Sequence, residues 1–156
     1  MSVLKMFTWL EGLPAGEAIR ASLWLFPVIE SFHLLALALM GGAVLMLNIK
    51  LFGFGLRSIS VEQLWRDTRP FLVGSLIVLL ISGALLFLSE ATKLYYNGAF
   101  WFKMGSLLLA ISFTFTVERK VVHSLSVAPV WSKVVAVVSM ALWTGVGVGG
   151  RWIGFS

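Results

Sequence analysis

Cysteine is absent from this chain, histidine occurs only twice, and charged residues make up 12% of it. The missing cysteine removes disulfides, thiolate nucleophiles, cysteine-based zinc sites and iron–sulfur clusters, while leaving the compartment open. Soluble domains carry about 25% charged residues, and 59% of this chain is hydrophobic, so the apolar surplus has to face lipid. No internal repeat, low-complexity stretch or G-x-S-x-G frame is present. Ser31 and His33 fall on different helical faces, so hydrolase chemistry is excluded and nothing points to an enzyme.

The 156 residues carry a formal charge of +5. That length is one domain, with no room for a separate soluble module. The basic residues sit between apolar runs, where they set orientation and meet anionic headgroups. Nucleic acid is therefore discounted and the lipid bilayer is the expected partner.

The pattern divides the chain into an N-terminal interfacial segment, residues 1–27, and a four-helix transmembrane domain, residues 28–156. Val3, Leu4, Phe7 and Leu10 recur at helical spacing beside Trp9, which predicts a short helix lying in the membrane interface. Glu11 and Pro14 interrupt any signal-peptide core. A second amphipathic stretch, AGEAIRASLWLF, leads to Pro27. Spans are expected from about Val28 to Lys50, Phe71 to Ser89, Phe100 to Val117 and Val130 to Gly150, each near the ~20 residues a bilayer requires. Val61 to Trp65 adds a short surface helix, Tyr95 and Tyr96 lie at headgroup level, and SLSVAP forms a turn.

Short connections give an all-α, up-down-up-down transmembrane bundle. One side holds Lys50, Arg57, Arg66, Arg69, Arg119, Lys120 and Lys133. The other holds Lys5, Arg20, Lys93, Lys103 and Arg151, the last two of which read as site residues. The positive-inside rule then places both termini in the periplasm of a bacterial inner membrane. In the last span Ala141, Gly145 and Gly149 form a ridge of small residues, the usual device for close helix contact in lipid.

That topology brings one end of every span into the same leaflet. The first delivers Glu30 and His33, the second Glu90, the third Lys103 and the fourth Arg151. Charges near lipid survive by pairing, so Glu30 and Glu90 are expected to pair with Lys103 and Arg151 in some order. Trp24, Trp101, Trp152 and the two tyrosines ring the same end.

The segments LWLFPVIESFHLLALALMGG, LLFLSEA, FWFKMGSLLLA and GRWIGF together resemble an uncharacterised bacterial family of small four-helix integral membrane proteins, a domain of unknown function. The resemblance runs from about Leu23 to Phe155. It implies the four-helix fold and marks Glu30, His33, Glu90, Lys103 and Arg151 as the family's polar positions. It implies no activity. A histidine that some relatives carry at the end of the third helix has no counterpart between Thr116 and Lys120.

Two functional readings follow. In the favoured one, the five polar residues form an outer-leaflet site for a small ligand such as a quinone, a haem or a lipid headgroup, with His33 the titratable or ligating group. In the other, the cluster only locks the bundle of a structural or assembly subunit, as a homo-oligomer or beside a partner membrane subunit. A bis-histidine haem is excluded, because His123 follows the opposite end of the third helix; a haem on His33 would need Met104, water or a second protomer. His33 is also the best metal-ligand candidate, but too few ligands accompany it for zinc, and two cations oppose the ion.

Overall fold

The computed structural model describes residues 3–55, 58–124 and 129–155. Arg57 and most of the expected SLSVAP turn lie outside the described residues. All regular structure among the described residues is helical. Two short helices, α1 (Val3–Glu11) and α2 (Pro14–Ala21), precede two long ones, α3 (Leu25–Phe52) and α4 (Val61–Ser89). A single turn, α5 (Ala91–Tyr95), leads into α6 (Gly98–Phe113). That helix continues through a π turn (Thr114–Glu118) into α7 (Arg119–His123), and α8 (Pro129–Ile153) follows.

Four stretches are long and apolar enough to cross a bilayer: α3, α4, the continuous Gly98–His123 rod and α8. The chain is an integral membrane protein. Each stretch is 25–29 residues long, more than the ~20 that hydrocarbon requires, so the ends reach into the headgroups.

The helices begin where side chains cap them. Ser60 Oγ accepts from the Gln63 N–H at 3.0 Å, so the polar run after Gly55 enters α4 at Val61 rather than forming a detached surface helix. The S-x-x-Q spacing is that of a capping box. Pro70 sits inside α4 and leaves the Arg66 carbonyl without its helical donor. Asn97 Oδ1 accepts from Ala99 and Phe100 to open α6. Gly53, at φ +88°, closes α3, a left-handed conformation that favours glycine.

Contacts run antiparallel. Ala36, Met40, Ala43 and Leu47 of α3 join Leu64, Leu72 and Leu79 of α4 in the main core. Ser75, Ser82 and Ser89 line the same side of α4, each with its hydroxyl bonded to a carbonyl three or four residues back. Serines that satisfy themselves this way let helices approach closely, and in lipid such fit replaces water removal as the source of stability. The glycine ridge of α8 packs on α6: Cβ atoms at Gly145 and Gly149 would fall 3.3 Å from Ser106 Oγ and 3.1 Å from Lys103 Cβ. α8 touches both α3 and α6, whereas α4 and α6 scarcely meet along their length.

The N-terminal helices lie across the end of the bundle where α4 turns into α5. Phe7 is buried edge-on against Phe87 and Tyr95, at centroid distances of 5.1 and 5.3 Å. Gly16 of α2 rests on the Leu88 carbonyl, so close that a Cβ would fall 2.5 Å from the oxygen. Arg20 donates to the carbonyls of Ser89 and Glu11 at 3.1 and 2.8 Å.

Candidate functional site

His33 is the half-buried member of the expected cluster on α3. It continues the inward line of Ala36, Met40 and Ala43, and so meets α4. Its Nδ1 lies 2.8 Å from Ser82 Oγ. The hydroxyl of Ser82 already donates to the Val78 carbonyl at 2.5 Å, which leaves its oxygen as an acceptor. The hydrogen-bond network therefore assigns the proton to His33 Nδ1 and leaves Nε2 with a free lone pair in the neutral ring. Gly83 makes room for the ring, since a Cβ there would lie 3.3 Å from Cε1.

Lys103 approaches from α6, within electrostatic reach of His33. Its side chain runs along the glycines of α8, with Nζ 3.4 Å from where a Cβ would stand at Gly150. Among the described residues it makes no hydrogen bond or ion pair. A half-buried ammonium with no anion beside it has an open demand for an acceptor oxygen.

The ion pairs expected from the sequence do not form. Glu90 pairs with Lys93, three residues on, at 3.5 Å, in a largely exposed bridge that contributes little. Arg151 is exposed with its guanidinium carbon 4.7 Å from the Phe155 ring centroid. Glu30 is exposed and makes no hydrogen bond or ion pair among the described residues. The physical cause is angular. Residues three apart on a helix differ by about 60°, and here the edge of the packed face falls between Glu30 and His33. Of the five positions, the fold leaves Glu30, Glu90 and Arg151 at the surface, with Lys103 alone within electrostatic reach of His33.

A second polar centre lies at the opposite end, around Glu118. Asn48, Thr114, Glu118 and Ser139 are all 0–1% exposed there. Ser139 Oγ donates to Glu118 Oε2 and accepts from Asn48 Nδ2, both at 3.1 Å. Trp143 Nε1 donates to Thr114 Oγ1 at 3.1 Å. The available signal was depth, because Asn48, Glu118 and Ser139 are polar residues that antiparallel threading brings to one level.

Two surface concavities are lined by described residues. One of about 550 Å³ is lined by Glu62, Trp65, Arg66, Arg69, Arg119 and His123, and His123 Nδ1 is 3.4 Å from Glu62 Oε1 there. The other, about 290 Å³, is an apolar groove between α3 and α4 containing Phe32, Leu39 and Phe71. Among the described residues no three histidine or carboxylate side chains gather as a metal site. Any haem iron on α3 would have to take the free His33 Nε2.

No curated protein and no solved structure matches the chain. The model of one family, described as a family of unknown function (DUF6644), matches residues 21–156.

Proposed function

We propose, for a chain that belongs to the DUF6644 family of unknown function, that it binds the hydroxyl end of a quinol-type redox ligand between His33 and Lys103. One observation carries the reading: the half-buried Lys103 ammonium has no acceptor among the described residues and lies within electrostatic reach of His33. A quinol hydroxyl is both donor and acceptor. Its proton suits the lone pair of His33 Nε2, and its oxygen suits Lys103. The oxidised quinone offers only the acceptor, so the reduced form binds more tightly. The slight contact between α4 and α6 gives a lipid-soluble ligand a lateral approach from the bilayer.

In this reading Glu30, Glu90 and Arg151, which lie at the surface, make no contact with the ligand. The lysine and arginine distribution supports a periplasmic leaflet of a bacterial inner membrane as the place of this site. The competing role, a structural or assembly subunit, requires no ligand at all.

The test is titration of the detergent-purified protein with a short-chain benzoquinol, followed by tryptophan fluorescence. Saturable quenching is expected, weakened about tenfold or more in His33→Ala and in Lys103→Met, each removing one hydrogen bond to a charged or polar partner. Absence of quenching, an affinity unchanged from the natural protein in either variant, or a Soret band in the purified protein overturns the reading.

A further inference from the structure

Glu118 is the one charged side chain fully enclosed among the described residues. The π turn places it there, since the wider turn from Thr114 to Glu118 swings both side chains toward α8, and such turns recur at functional sites. Ser139 donates to one carboxylate oxygen at 3.1 Å, and the Thr114 hydroxyl is near enough to act on the carboxylate electrostatically. A hydroxyl that spends its proton on a carboxyl group is arranged for its anion.

Two oxygens are left over. Glu118 Oε1 and Asn48 Oδ1 are buried with no hydrogen-bond partner. The amide cannot be turned to help, because Asn48 Nδ2 is committed to the Val44 carbonyl at 2.9 Å and to Ser139 Oγ at 3.1 Å. Both orphans are acceptors, so their complement is electropositive. Protein cations at this end include Lys50 of α3, Arg119, Lys120 and His123 of α7, and Lys133 of α8. The polar surroundings of the carboxylate are Ser139 and Thr114, and His123 faces Glu62.

We propose that Glu118, Asn48, Thr114 and Ser139 form a buried site for one monovalent cation of sodium size, clasped between α3, the π turn and α8. The donor set is oxygen only, which suits a hard ion. A single carboxylate cancels a single charge, whereas a divalent ion would leave a net positive charge in the membrane protein's interior. The site is distinct from the His33–Lys103 centre at the other end.

The test is thermal unfolding of the full chain in detergent, in sodium chloride against choline chloride at equal ionic strength. An ion that binds only the folded state raises the midpoint, by about 3–5 °C once sodium exceeds its Kd roughly tenfold. Asn48→Leu and Glu118→Gln should lose that rise. Equal midpoints of the natural protein in the two salts overturn the site, as does a rise that both variants keep. Should the variants not fold, carbodiimide labelling of Glu118 in the natural protein decides, read by mass spectrometry. Protection by sodium and not by choline supports the site. Labelling that sodium leaves unchanged marks a proton-only carboxyl and overturns it, and so does a carboxylate unlabelled in both salts from a protein whose midpoint ignores sodium.

Discussion

His33 Nδ1 stands 2.8 Å from Ser82 Oγ, and the serine's own proton is held by the Val78 carbonyl. The bond fixes the ring and its tautomer together, so Nε2 is the nitrogen left to work. Ser82→Ala should cost about 1 kcal/mol or less of stability, the scale of one neutral hydrogen bond in a membrane bundle. It frees the ring to change tautomer, so quinol affinity should fall further than stability does. Parallel unfolding and fluorescence titrations check the split.

Gly83 offers a cleaner separation of the same two effects. An alanine Cβ would lie 3.3 Å from His33 Cε1, close enough to push the ring off Ser82. Alanine also favours a helix interior over glycine by about 1 kcal/mol. The two terms oppose each other, so Gly83→Ala should leave the unfolding midpoint nearly unchanged while weakening quinol binding. Unchanged affinity would remove His33 from the binding site.

The α6–α8 contact makes a paired prediction. At Gly149 a Cβ would fall 3.1 Å from Lys103 Cβ and 3.2 Å from its Cα, with little scope for either to move. Gly149→Ala should therefore destabilise by about 1–3 kcal/mol, the usual cost of overpacking. At Gly147 nothing lies within 4 Å, and Gly147→Ala should be neutral or stabilising by up to about 1 kcal/mol. Thermal unfolding of the two variants side by side tests both.

The spans were legible because hydropathy and the demand for internal backbone hydrogen bonding leave a lipid-embedded chain few alternatives. The extension of α4 back to Val61 was less so, since its polar first turns look like a loop until Ser60 and Gln63 are recognised as a cap. The site was half legible. Up-down topology assigned His33 and Lys103 to one end, but which side of α3 turns inward depends on where α4 and α8 press, and that decides the fate of Glu30. Glu118 was not legible as a buried group, because charge at a helix end is ordinarily solvated. Its burial follows from the π turn, which no local sequence signal announces.

Docking of the N-terminal helices rests on Gly16. A Cβ there would lie 2.5 Å from the Leu88 carbonyl and 3.0 Å from that of Glu11, both backbone atoms that cannot step aside. Gly16→Ala should lift α2 and break the bonds from Arg20 to the carbonyls of Ser89 and Glu11. Trypsin cleavage after Arg20 should then be faster than in the natural protein, with the four spans intact by circular dichroism. Equal cleavage rates would mean that α2 is not held through this contact.

The same docking should be sensitive to acid. Glu11 Oε2 accepts the Thr92 N–H at 2.6 Å. The hydroxyl and then the backbone N–H of Thr92, with Arg20 adding its charge, hold the Glu11 carboxyl below its usual range against a smaller opposing effect of burial. A carboxyl with a depressed folded-state pKa binds fewer protons folded than unfolded, so it stabilises the docked state at higher pH. The contribution is complete above the undocked value of about 4.3 and is lost as pH falls through the lower folded-state value. Trp101 reports on this, since its ring lies 6.0 Å from that of Phe7 on α1. Its fluorescence should change as the pH is lowered below about 4, and Glu11→Gln should undock α1 and α2 at every pH and abolish the transition. A transition that persists in Glu11→Gln belongs to another carboxylate.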